Sequence, residues 1–129
     1  MLISGILNPQ VNSLLSRVRH TNTLVIADRG FPFWPEIETV DLSLVDDIPR
    51  VLDVLRAVRA NFVIGRITMA EEFRLHNGAA VVDGFAAEMT GIDLRFEPHA
   101  DLKARVPKAI GLIRTGDTTQ YANMILESA

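Results

Sequence analysis

Residues 23–27 read Thr-Leu-Val-Ile-Ala and run straight into Asp28-Arg-Gly, so an unbroken apolar stretch stops at a charged, glycine-containing turn. A strand without polar alternation must be covered on both faces, which is the situation of strands in a parallel sheet between two layers of helix. The rest of the chain supplies candidates for those layers. Asn8-Pro9 reads as an N-cap and first helical position, with Val11, Leu14, Leu15 and Val18 on one face, and predicts a helix over Pro9–Arg19. Val40–Val45 alternates as a short strand, and Asp46/Asp47 precede a helix carrying Val51, Leu52, Leu55 and Val58. Phe62–Met69 is the next strand, and Gly78–Met89 a helix with Gly91 placed as its C-terminal cap. Asp93–Glu97 alternates up to Pro98, and His99–Arg105 is a short helix. Ala109–Ile113 is a strongly apolar strand, and Met124–Leu126 a short edge strand. Strands alternating with helices predict an α/β fold, a three-layer sandwich of a mostly parallel sheet with helices on both faces.

With 129 residues the chain is expected to form one domain over 1–129. Its 48% hydrophobic content exceeds what one small core needs and points to buried contacts between subunits. Thirteen Lys+Arg against sixteen Asp+Glu leave a net charge of -3, without the basic surplus that a phosphate backbone demands, so nucleic acid is excluded as a partner. Cysteine is absent, which removes disulfides, thiolate metal sites and cysteine nucleophiles. Residues 1–18 carry no basic group ahead of their apolar positions and are interrupted by Asn8, Pro9, Asn12 and Ser13, unlike a signal peptide or membrane span. A cytoplasmic protein that does not engage membranes is expected.

In a parallel sheet the ligand crevice lies outside the carboxyl ends of the strands. That rule selects Asp28 and its loop, Ala70-Glu71-Glu72, and Pro98-His99. Asp28 fits either a carboxylate that orients a hydroxyl or an Asx turn closing the strand. His20, at the end of the predicted first helix, fits either a proton donor favoured by the helix dipole or a cap on the last carbonyls. His99 could serve a ligand or simply open a helix. Tyr121-Ala-Asn123 brings together a phenol and a carboxamide, suited to hydroxyl groups or to loop packing. Other chemistries lack their signatures. His20, His76 and His99 show no i, i+4 pairing for a metal, and Glu71/Glu72 are consecutive, so at most one faces the crevice. No G-x-G-x-x-G follows the first strand, and neither G-x-x-x-x-G-K-[ST] nor G-x-S-x-G occurs.

Taken together, Gly5-Ile-Leu-Asn8, Arg19-His-Thr-Asn-Thr23, Asp28-Arg-Gly-Phe-Pro32, Val40-Asp-Leu42, Ala70-Glu-Glu72, Pro98-His99, Ile113-Arg-Thr-Gly116 and Tyr121-Ala-Asn123 resemble the D-ribose pyranase/L-fucose mutarotase family. The motifs stand in the family order across residues 5–126. The resemblance implies a cofactor-independent, metal-free isomerase that interconverts ring forms or anomers of a free monosaccharide. It also implies a homo-oligomeric ring, decameric in the pyranases, with sugar sites near subunit boundaries. It casts His20 as proton donor and Asp28, His99, Tyr121, Ala122 and Asn123 as the sugar-binding set. His99 and Tyr121-Ala-Asn123 resemble the pyranase branch, whereas Phe31 is more like the fucose branch.

Arg29, where pyranases carry a small residue, fits either an acidic or phosphorylated sugar or a salt-bridged rim position. Trp34 fits sugar stacking or interface packing. Eight residue steps separate His20 from Asp28, on the order of 20 Å if most are strand. Two groups that far apart do not meet one sugar, so His20 is expected to serve a neighbouring subunit's site. The competing reading is a non-catalytic sugar-binding module, which has no need of a proton donor.

Overall fold

The computed structural model describes residues 1–129. Its elements are α1 (Pro9–Arg17), β1 (Thr23–Ala27), β2 (Glu38–Asp41), α2 (Val51–Arg59), β3 (Ile64–Ala70), α3 (Glu71–His76), α4 (Ala79–Glu88), β4 (Asp93–Glu97), α5 (His99–Arg105), β5 (Gly111–Arg114) and β6 (Met124–Ser128). The six strands form one sheet in the order β2-β5-β1-β6-β3-β4. β1, β2 and β5 pair in parallel, as do β3 and β4, while β6 runs antiparallel to both β1 and β3. The sheet is thus mixed but mostly parallel.

Alternate residues of the central strands feed two cores. Leu24, Ile26, Ile113, Met124 and Leu126 pack with Leu14 of α1, Leu55 and Val58 of α2, Phe73 of α3 and Phe85 of α4. Val25, Ala27, Leu112 and Ile125 face the other way, onto Phe31, Leu102 of α5, Val106 and Ala109. Helices therefore cover both faces, as the apolar run at β1 requires. No helix is long and apolar enough to cross a membrane.

Several boundaries depart from the sequence expectation, each for a local reason. The Asn8 side chain accepts the Val11 N–H at 2.9 Å and opens α1 as expected, but Val18 turns extended (φ -77, ψ 129) and stops the helix at Arg17 rather than Arg19. β2 ends at Asp41, not Val45, because the Asp41 carboxylate turns back to accept the Ser43 N–H at 2.9 Å. β3 starts at Ile64 behind a register shift at Gly65 and runs on to Ala70. β5 starts at Gly111, not Ala109, because Ala109 caps a 3-10 turn over Val106–Lys108, its N–H donating to the Val106 carbonyl at 3.0 Å. α3 was not foreseen: it follows β3 without a linker. The largest correction concerns Met124–Leu126, expected at an edge. The strand extends to Ser128 and lies at the centre of the sheet, where Met124, Ile125 and Leu126 are all buried.

Gly116, just past β5, fixes the loop after β2 to the sheet. Its N–H donates to the Pro49 carbonyl at 2.9 Å, and its carbonyl accepts from Asp47 N–H at 2.6 Å. A Cβ there would press on the backbone oxygens of Val45 and Ile48, the latter at 3.0 Å. Since backbone atoms yield less readily than side-chain ends, Gly116→Ala is expected to destabilise the fold by roughly 1–3 kcal/mol, read as a lower urea midpoint at unchanged m-value.

Candidate functional site

The five parallel strands all end at one edge of the sheet, and antiparallel β6 begins there. That geometry delivers Asp28 from the end of β1, His99 from the end of β4, and Tyr121 and Asn123 from the approach to β6. With Gly30, Phe31, Pro32 and Gln120 they line a cleft of about 320 Å³. A separate groove along Ile6, Val11, Leu42 and Val54 is mainly apolar. Its two polar groups are already engaged: Asn8 caps α1, and Asp53 accepts the Arg50 N–H.

Asp28 and Asn123 hold each other. The Asp28 N–H donates to Asn123 Oδ1 at 2.8 Å, and Asn123 Nδ2 donates back to Asp28 Oδ2 at 3.0 Å. Oδ1 of Asp28 accepts the Gly30 N–H at 3.0 Å, so the Asx turn and the oriented carboxylate coexist in one residue. The Arg114 guanidinium donates to the carbonyls of Asp28, Arg29 and Pro32 at 3.2, 3.3 and 3.2 Å, lacing the loop beneath it. Burial is the dominant influence on the Asp28 carboxyl and raises its pKa above 3.8, against the opposing hydrogen bonds from Gly30 and Asn123 and the charge of Arg114.

His99 is the first residue of α5. Its ring lies 5.0 Å from Tyr121 in an edge-on arrangement and 5.8 Å from Phe31. Its Nε2 is buried and has no hydrogen-bond partner in the chain. A buried ring nitrogen left open at a cleft is a ready donor or acceptor for a ligand. Desolvation, then the charge of Lys103, lower the His99 pKa below 6.5, with Glu72 and Asp28 pulling the other way. Tyr121 sits at φ 54, a left-handed conformation that costs a tyrosine of order 1–3 kcal/mol and is held by its surroundings.

The cleft gathers four of the six residues selected from the sequence. Ala122 is fully buried in the first core, between Tyr121 and Asn123 in the chain, and does not itself line the cleft. His20 lies at the opposite end of the sheet, exposed on the turn ahead of β1 and clear of the last turn of α1. The helix-end role passes to Arg19, whose guanidinium donates to the carbonyls of Ser16 and Val18. β1 alone puts about 16 Å between His20 and Asp28. Arg29 resolves as a rim residue, paired with Asp46 at 2.5 Å, and Trp34 packs on Phe31 at 5.0 Å between centroids. Of the consecutive pair, Glu71 faces solvent against Arg74, while Glu72 turns inward to His99. Gln120 was not singled out from the sequence, although its place beside Tyr121 was the available signal.

A family model described as the RbsD / FucU transport protein family matches residues 1–129. The chain is 44% identical over 125 residues to the D-ribose pyranase of Geobacillus kaustophilus, covering 97% of this chain and 91% of that protein. Among solved structures, it is similar to Bacillus subtilis RbsD complexed with D-ribose, with a TM-score of 0.93 and 28% identity over 100% of this chain and 98% of that one. The fucose mutarotase from Streptococcus pneumoniae, solved with L-fucose, shares the fold at a TM-score of 0.76 and 18% identity, over 95% and 92% of the two chains.

The electrostatics of Asp28 set a measurable sign. Because its folded pKa is raised above the unfolded value, the folded chain holds that proton more tightly, and stability declines as pH rises from 3.8 through the raised value. Asp28→Asn removes the ionisation. The melting temperature of the variant relative to wild type is therefore expected to increase as pH rises above 3.8, as measured by thermal scans from acid to neutral pH. A difference independent of pH would show that the buried charge carries no cost.

Proposed function

This chain belongs to the RbsD / FucU family, and from that premise we propose that it interconverts the ring forms of a free monosaccharide, D-ribose foremost, by acid–base opening of the cyclic hemiacetal. The observation that carries this reading is the cleft itself. It places a carboxylate, an unpartnered imidazole nitrogen, a phenol and a carboxamide around a space of sugar size, with no lysine or arginine lining it. A neutral polyol suits those groups, and Arg29, tied to Asp46, offers no cation for a phosphate.

Ring opening removes the proton from the anomeric hydroxyl, breaks the bond from the anomeric carbon to the ring oxygen, and delivers a proton to that oxygen. Closure by another hydroxyl, or on the other face, reverses the steps. Positioned acids and bases contribute typically 10²- to 10⁴-fold to such transfers. In this reading Asp28, His99, Tyr121 and Asn123 bind and orient the sugar, and Ala122, packed in the first core, holds the segment that carries Tyr121 and Asn123. His20 supplies the proton from a neighbouring subunit. The separation of His20 from the cleft along β1 supports this arrangement, and with it a homo-oligomeric ring, a decamer in its pyranase form. The whole of 1–129 acts as one domain, in the cytoplasm, where free sugar awaits further metabolism.

Magnetisation-transfer NMR on D-ribose and L-fucose tests the activity. Accelerated exchange of D-ribose is expected for the wild type and loss of it for His20→Ala and for Asp28→Ala. Because each variant keeps the half-site the other lacks, co-refolding the two is expected to restore roughly a quarter of the wild-type rate, the share of sites that draw both intact halves when subunits mix at random. Sugar affinity without exchange in the wild type would favour the binding module instead. Failure of the mixture to recover would place His20 and Asp28 in the same subunit's site.

A further inference from the structure

The unforeseen helix α3 and the residue after it touch both aromatic arms of the cleft. Glu72 accepts the backbone N–H of His99 with both carboxylate oxygens, at 2.9 and 3.2 Å. This is the first N–H of α5, whose N-cap, Pro98, offers no side-chain acceptor. Asn77, the residue after α3, donates through Nδ2 to the carbonyls of Phe73 at 2.8 Å and Gln120 at 2.9 Å, fixing the backbone one residue before Tyr121. His76 lies 5.2 Å from the Tyr121 ring. Phe73 anchors the helix itself, at 1% exposure, in the first core.

We propose that α3 is the positioning element of the sugar cleft, with Glu72 setting His99 and Asn77 setting Tyr121, a role that rests on the function proposed above. The argument is one of missing alternatives. The open Nε2 gives the imidazole no hydrogen bond within the chain to steer it from that atom, so its place depends on the backbone it hangs from and the rings beside it. Tyr121 occupies a left-handed conformation that relaxes unless its flank is tied. Both ties lead to one six-residue helix. Glu72 also acts through its charge. The charged and titratable groups facing His99 are Asp28 at the end of β1, Lys103 on α5, Tyr121 before β6, and Glu72. Among these Glu72 and Asp28 favour the imidazolium.

The test compares Glu72→Ala, Glu72→Gln and Asn77→Ala with Glu71→Gln, a change on the solvent side of the same helix. Glu72→Ala is expected to raise KM for D-ribose roughly ten-fold, the scale of one lost hydrogen bond to a charged group. Glu72→Gln keeps an oxygen acceptor and is expected to return KM close to wild type. In both, the His99 imidazole, followed by NMR in sugar-free protein, titrates at lower pH than in wild type because the carboxylate charge is gone. Asn77→Ala is expected to raise KM and shift the Tyr121 ring resonances while leaving the His99 titration in place. Glu71→Gln leaves all of these unchanged. Should Glu72→Ala fail to fold, Glu72→Gln and Asn77→Ala still decide. An unmoved His99 titration in Glu72→Gln, or unmoved Tyr121 resonances in Asn77→Ala, overturns the proposal, as does a Glu72→Gln variant as impaired as Glu72→Ala. If wild type does not turn over D-ribose, the functional reading fails, and the two ring signals still judge the positioning role.

Discussion

The sheet is whole only because β6 pairs on both sides. β2, β5 and β1 form one parallel block, β3 and β4 another, and β6 is the strand that hydrogen-bonds to each. Running against its neighbours, it starts where they finish, and so carries Tyr121 and Asn123 to the edge where β1 and β4 release Asp28 and His99. An all-parallel arrangement of the same strands would have sent that segment to the far end. The cleft is thus a product of strand direction, with loop chemistry filling in what direction has already brought together.

Burial then acts on the two titratable groups in opposite senses. Desolvation disfavours the charged form of each, raising the carboxyl of Asp28 and lowering the imidazole of His99. Their proton affinities draw nearer to one another than in water. The two differ in how they are satisfied: the Asp28 carboxylate accepts from Asn123 and Gly30, whereas His99 keeps one nitrogen open.

How much of this was legible in the sequence follows the range of the interactions. β1, β4, α5 and the start of α1 were readable because their signals are local: an unbroken apolar run, an alternation closed by proline, and an Asn-Pro cap. β6 was recognisable as a strand but misplaced, since its central position depends on partners far away in the chain. α3 was missed because six residues with a single buried side chain make no periodic pattern, and because β3 leads into it directly. Asp28, His99, Tyr121 and Asn123 were reachable through the rule for strand ends and through family resemblance. Glu72 was selected by the same strand-end rule, though not its bond to the His99 backbone; Asn77 was not, because it acts on the backbone of another segment, and backbone carries no sequence label. His20 was placed at the end of a helix that stops short of it, so its interest comes from the turn before β1, not from a helix dipole.

The Asp28–Asn123 pair joins residues separated by 95 positions. During translation Asp28 leaves the ribosome long before Asn123 is made, and the strand that unites the two parallel blocks is the last of the six to emerge. Until β6 pairs, the chain has open strand edges and an Asp28 carboxylate without its Asn123 partner, a state that invites chaperones and is exposed to edge-to-edge association. Competence to hold a ligand therefore arrives together with the closure of the fold, so that any polypeptide released before Asn123 carries the apolar surface of this protein without its site.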